Sequence, residues 1–230
     1  EFEGNSSWGY NPAFYFAPDK YYGPKNYMKA FIDSCHARGI AVIMDIVLNH
    51  NAGQSPFILL YLDHYGTDQT YMKVPNPWFN ASSPNNVFKW GADFNHESTW
   101  TQKLVDRINA YWLTEYNIDG FRFDFTKGFT NTVGDGSAYD ASRIAILERM
   151  ADEIWSVKPE AYIILEHFGA NAEEIELANY GMMLWGNNNY NFTEAAMGYT
   201  SDLSYASYLG RGWSVPHLVS YMESHDEERL

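Results

Sequence analysis

Three short segments place acidic side chains where chemistry could occur. "GFRFDFTKG" carries Asp124 two residues after Arg122, "YIILEH" ends in Glu166 and His167, and "ESHDEERL" presents His225 and Asp226. In the first, Phe121, Phe123 and Phe125 alternate with Arg122 and Asp124, a strand period that sends the charged pair to one face. An arginine beside an ionised carboxylate should depress its pKa and keep it anionic, which suits a nucleophile. The same pair could equally be a structural ion pair plugging one end of a sheet. Glu166, flanked by Ile164, Leu165 and Phe168, is a candidate for the raised pKa of a proton donor. Retaining cleavage of a glycosidic bond uses such a pair with carboxyls about 5–5.5 Å apart, roughly the reach across neighbouring strand ends. Asp226 could accept hydrogen bonds from substrate hydroxyls, whereas Glu227 and Glu228 read as solvated charge. His50, closing "DIVLNH", could donate to a hydroxyl, although a lone strand-end histidine is more often structural. No H-E-x-x-H or Cys/His spacing points to zinc.

The elements that must position these groups alternate between helix and strand. "GPKNYMKAFIDSCHARG" has helical spacing, with Cys35 on it as a buried structural thiol, and "IAVIMDIVLNH" reads as a buried parallel strand. Residues 51–95, rich in Pro, Asn, Gly and aromatics, lose this rhythm and read as a functional excursion. Then follow the helix "ESTWTQKLVDRINAYWLTEY", the strand "IDGFRFD", the helix "YDASRIAILERMADEIWSVKP" and the strand "AYIILEH". "NAEEIELANYG" is a shorter helix, "MMLWG" a strand, and "HLVSYMESHD" a strand running into a loop. Such alternation predicts a parallel sheet with crossover helices. No G-x-G-x-x-G or Walker sequence supports a doubly wound nucleotide fold. Polar residues recur where strands end, which favours a (β/α)8 barrel, whose chemistry sits at that face.

Composition narrows the partners. The chain of 230 residues is 46% hydrophobic and 17% aromatic, enough for a sizeable core, with a formal charge of -14. That charge repels phosphate backbones, so nucleic acid is not expected as a partner, and no basic amphipathic or long apolar run indicates membrane contact. One cysteine excludes an intrachain disulfide. Three N-x-S/T sequons begin at Asn5, Asn80 and Asn191. Trp8, Trp90, Trp185 and Trp213 could stack on sugar faces, but most aromatics in such a fold are core.

In this order, "DIVLNH", "GFRFDFTKG", "ILEH" and "ESHD" resemble the four signature regions of the α-amylase family, glycoside hydrolase family 13, and "WGYNPAFYFAPDKYYG" extends the match toward the start. The resemblance implies a partial (β/α)8 TIM barrel, from about strands 2/3 to 7, with a small irregular domain inserted after the third strand. Residues 1–50 and 96–230 would form the incomplete catalytic barrel and 51–95 the inserted domain. A barrel short of three strands should have unpaired edges and exposed core, so the chain reads as part of a longer protein.

Carried over to this sequence, the resemblance implies Asp124 as nucleophile, Glu166 as acid/base and Asp226 as transition-state stabiliser. Arg122 would orient Asp124, His50 and His225 would donate to the sugar, Tyr10 would stack on its ring, and Asp45 would be structural. Lys127, Gly128 and His167 would line the adjacent acceptor subsite. The implied activity is retaining endo-hydrolysis of α-1,4-glucosidic bonds in starch- or glycogen-type glucans. Debranching, branching or maltogenic activity is the alternative, as is a non-catalytic carbohydrate-binding role. No cofactor is required. A structural calcium is left open, with Asn49 and Asp93 as ligand candidates. The expected partner is an α-glucan polysaccharide or oligosaccharide, and the expected location is secreted or periplasmic. The oligomeric state stays open.

Overall fold

A computed structural model describes residues 7–61 and 75–227. Asn5, Glu228 and the part of the excursion between 62 and 74 lie outside these residues. The strands are β1 (Ile43–Ile46), β2 (His50–Asn51), β3 (Ala92–Asp93), β4 (Gly120–Phe123), β5 (Tyr162–Leu165), β6 (Met183–Asn187) and β7 (Leu218–Tyr221). The α-helices are α1 (Lys25–His36), α2 (Pro56–Leu59), α3 (Thr99–Glu115), α4 (Ala141–Val157), α5 (Asn171–Tyr180) and α6 (Asn189–Ala196).

Five strands form one parallel sheet in the order β1-β4-β5-β6-β7. Helices α3, α4 and α5 cross between them, the arrangement the alternation predicts. This is a partial barrel that does not close: among the described residues, β1 and β7 are the open edges of the sheet. The long apolar run before His50 does not stay one strand. Only Ile43–Ile46 joins the parallel sheet, while His50–Asn51 leaves it to pair antiparallel with Ala92–Asp93. The excursion thereby gains an ordered root.

Burial explains why each strand lies as it does. Phe121, Phe123, Ile163 and Leu165 are essentially inaccessible, each stabilising the fold by about 1.5–3 kcal/mol through lost water contact. They belong to one core with Leu104, Val105, Ile108 and Trp112 of α3, Ile144, Leu147, Met150 and Ile154 of α4, and Leu177 and Ala178 of α5. Ser98 caps α3 by accepting from the Trp100 N–H, and Asp140 caps α4 by accepting from the N–H groups of Ser142 and Arg143. Helix α1 differs. Ile32 is its one buried residue, Tyr27 and Phe31 stay exposed, and Cys35 is half-buried instead of buried.

Candidate active site

The register of the sheet assembles the site. Asp45 pairs with Arg122 across β1 and β4, and Arg122 pairs with Ile164 across β4 and β5. Alternation then points Asp45, Arg122 and Asp124 to one face, and Glu166 follows the end of β5 beside them. A cleft of ≈ 450 Å³ opens over these strand ends, lined by Tyr10, His50, Trp90, Asp124, Phe125, Glu166, His225 and Asp226, with Ser7, Trp8 and Asn11 at its side.

Arg122 is the centre of the site. Its Nη1 donates to Asp45 Oδ1 at 2.8 Å and to Asp124 Oδ1 at 3.0 Å. Its Nη2 lies 2.9 Å from Glu166 Oε2, an ion-pair contact outside hydrogen-bond geometry, and the guanidinium carbon sits 4.0 Å from the Trp185 ring centroid. Trp185 thus packs on the arginine; nothing in the order of residues marked it for that position. Burial alone would lower the Arg122 pKa, but the surrounding carboxylates raise it, so its charge is fixed.

That sharing reverses one expectation. Burial, followed by the neighbouring Glu166 carboxylate, pushes Asp124 up to about 8, with Arg122 opposing. Asp124 is 7% exposed. Arg122 lowers the Asp124 pKa but does not outweigh burial, because its one positive charge is divided among three acids.

The turn after β4 completes the arrangement. Phe125 adopts the left-handed conformation, at φ 46 and ψ 48, costing about 1–2 kcal/mol for a residue with a Cβ. In return its N–H donates to Glu166 Oε2 at 2.9 Å, and Thr126 N–H donates to the Glu166 carbonyl at 2.9 Å. Strain at a strand end that orients a carboxylate is a functional signature.

The remaining candidates divide by environment. The Tyr10 hydroxyl donates to Asp45 Oδ2 at 2.8 Å, and its ring stacks on His225 at 4.1 Å. Burial and Asp45 raise the Tyr10 pKa, so the phenol stays protonated. His225 Nδ1 is 3.2 Å from that hydroxyl, and its Nε2 is 3.4 Å from Asp226 Oδ1. Asp226 lines the cleft but its side chain is 61% exposed. Its neighbour Glu227 is not plain solvated charge: it accepts from Asn187 Nδ2 and from the Ser224 N–H and hydroxyl, tying the turn together. Burial lowers the His50 pKa, and its Nε2–H donates to the Tyr10 carbonyl at 2.9 Å, so that proton holds the Tyr10 loop and is not free for a sugar. Lys127 is half-buried, with Nζ 4.8 Å from the Phe88 ring centroid and 5.3 Å from that of Phe125; burial lowers its pKa. His167 is fully buried and does not line the cleft. The expectation that it touches substrate is therefore corrected: its ring turns away, to Thr126 and Glu173.

The calcium candidates differ in how their oxygens are engaged. Asn49 Oδ1 is buried without a hydrogen-bond partner and faces Gly128, where an added Cβ would lie 2.0 Å from it. Asp93 accepts from Asn80 Nδ2 at 2.8 Å and from the Ser83 hydroxyl at 2.9 Å, and burial raises its pKa to about 6. Asn80, bonded also to Asn131, is thus engaged internally. Calcium takes about six to eight oxygens. Among the described residues there is no group of three or more histidine, cysteine, aspartate or glutamate side chains that could hold a metal ion. Among the described residues, too, no helix is long and apolar enough to cross a membrane.

Comparison with known proteins agrees with this geometry. The family model described as "Alpha amylase, catalytic domain" matches residues 2–230. A malto-oligosyltrehalose trehalohydrolase of Deinococcus radiodurans is 24% identical over 99% of this chain and 35% of its own length. A pullulanase of Bacillus subtilis is 34% identical over 51% of this chain and 16% of its own length. Among solved structures, a cyclomaltodextrinase superposes with a TM-score of 0.72 at 19% identity, covering 99% of this chain and 40% of that one. The chain spans about a third or less of the curated relatives named here.

Proposed function

Since the chain belongs to the α-amylase family, whose members are glycoside hydrolases and transglycosylases, we propose that it supplies the catalytic centre of an enzyme cleaving α-glucans with retention of configuration. The observation that carries this reading is the placement of two buried strand-end acids, Asp124 and Glu166, at 3.0 and 2.9 Å from one arginine and both lining the cleft. A retaining reaction needs that inventory: one anion to attack the anomeric carbon and one acid to protonate the leaving oxygen.

A glycosidic oxygen enters beside the two acids. Glu166, as the acid, donates its proton to the leaving sugar, while Asp124, paired with Arg122 at 3.0 Å, bonds to the anomeric carbon. Glu166, now anionic, removes a proton from water, and the water displaces Asp124 with a second inversion. Asp226, exposed in the cleft, serves as hydroxyl ligand and transition-state stabiliser once a ring lies over it. Tyr10 and His225, stacked as one slab, bound the sugar on one side, and Trp90 from the 51–95 excursion bounds it on another.

Endo-cleavage of α-1,4 bonds is the finer reading, with a location outside the cytoplasm following from a polymeric substrate. Debranching at α-1,6 bonds is the second, favoured by the pullulanase likeness at 34% identity. The full-length protein incubated with amylose and with pullulan separates them by which polymer yields reducing ends. Proton NMR of fresh products should show the α-anomer first. No cleavage of either polymer, or initial β-anomer, would overturn the proposal.

A further inference from the structure

Behind the cleft lies a buried chain of polar groups that the reaction above does not use. Glu173, at the start of α5, grips Arg143 of α4 in a fork, with Arg143 Nε 2.7 Å from Oε1 and Nη2 2.7 Å from Oε2. Both residues are essentially inaccessible. Arg143 also donates to the carbonyls of Lys127 at 2.7 Å and Ala138 at 3.0 Å, fastening the loop that follows β4. Against burial, which alone would push it up, His167 and Arg143 hold the Glu173 carboxyl down at about 2. An ionised Glu173 fixes the His167 tautomer: Nε2–H donates to Oε1 at 2.9 Å, leaving Nδ1 facing the Thr126 hydroxyl at 3.0 Å. The Thr126 hydroxyl is also 3.1 Å from the Glu166 carbonyl.

We propose that His167, oriented by Glu173 and Arg143, is a positioning residue that locks Thr126 and thereby aims the Glu166 carboxyl at the cleft. The inference rests on the reading of Glu166 as acid/base. The path is short. Thr126 holds the Glu166 main chain through its N–H, its single hydroxyl proton is shared between His167 Nδ1 and the Glu166 carbonyl, and the adjacent Phe125 N–H holds the carboxylate itself. Since Phe125 is in a strained left-handed conformation, it needs a rigid neighbour to keep its N–H aimed. Displacing a catalytic group by about 1 Å can cost on the order of 100-fold in rate.

The test uses Thr126→Val, which removes the hydroxyl at nearly constant volume, and Thr126→Ser, which keeps it, both in the full-length protein. Thr126→Val should lower kcat on maltooligosaccharides about 10- to 50-fold with KM within about twofold, and Thr126→Ser should recover to within about threefold of wild type. A second readout is independent of substrate: the Glu166 carboxyl, followed by 13C NMR against pH, should shift by at least about half a unit in Thr126→Val and return in Thr126→Ser. The groups facing Glu166 are Arg122, Asp124, Lys127 and Tyr221, and all remain in these variants. His167→Gln, which can still reach Glu173 but not Thr126, should reproduce the Thr126→Val effect and serves if that variant does not fold. A lower melting temperature with unchanged kcat and unchanged Glu166 titration would reduce the chain to a structural brace and overturn the proposal. Should wild type cleave no α-glucan, the proposed function falls, while the carboxyl titration still decides the positioning role.

Discussion

Asp124→Asn exchanges a titrating carboxyl for a neutral amide of nearly the same shape. In the folded protein, burial and Glu166 push Asp124 up to about 8, against an ordinary 3.8. An acid harder to ionise folded than unfolded favours the fold while protonated. That contribution is fully present below about pH 4 and is lost as pH climbs through about 8. The amide does not titrate, so the variant should gain on wild type across that window. The interval from 3.8 to about 8, at about 1.36 kcal/mol per unit, sets a ceiling of about 6 kcal/mol. The amide gives up the Arg122 ion pair, so we expect about 1–3 kcal/mol in favour of the variant at pH 8 and near equality at pH 4. Urea unfolding of the full-length protein and the variant at both pH values measures this, alongside loss of turnover by more than about 1,000-fold, as expected for a missing nucleophile. The opposite pattern, a variant weaker at pH 8 whose deficit closes below pH 4, would mean Arg122 dominates Asp124 and would refute the account of its raised pKa.

Three further outcomes follow from the same geometry. Glu166→Gln should lower kcat/KM by about 100-fold or more on maltooligosaccharides but by less than about tenfold on α-glycosyl fluorides, whose leaving group needs no proton, while kcat falls on both because water activation needs the same carboxylate; steady-state kinetics on both substrates checks it. Glu173→Gln leaves the Arg143 guanidinium buried without its counter-ion and should destabilise by about 3–5 kcal/mol, whereas joint Glu173→Leu and Arg143→Met should recover most of that in denaturant unfolding. Gly128→Ala brings a methyl to within 2.0 Å of Asn49 Oδ1 and should cost about 1–3 kcal/mol by overpacking, partly relieved by Asn49→Ala in a double-mutant cycle.

Much of the scaffold was legible in local pattern. Alternating phenylalanines around Arg122 and Asp124 announced a strand with one charged face, and helical spacing announced α3, α4 and α5. What escaped was whatever depends on partners far away in sequence. The proton affinity of Asp124 is set by how Arg122 is divided with Asp45 and Glu166, which only strand register decides. The family resemblance puts His167 at the acceptor subsite, but its ring lies against Thr126 and Glu173. A buried Arg143 within "YDASRIAIL" gives no local sign, except that an arginine occupies a position helical spacing would fill with an apolar residue. The break between β1 and β2 could not be read from a run that is apolar on both sides of Asp45.

Asp45 is the most exposed carboxylate on Arg122, its side chain 47% exposed against 10% for Asp124 and 7% for Glu166. It is thus an electrostatic valve at the rim of the sheet. A cation, added salt or a neighbouring segment that quenches Asp45 releases positive field inward, easing ionisation of the hidden pair. The acidity of the interior can in this way be tuned from outside, without any atom entering the cleft.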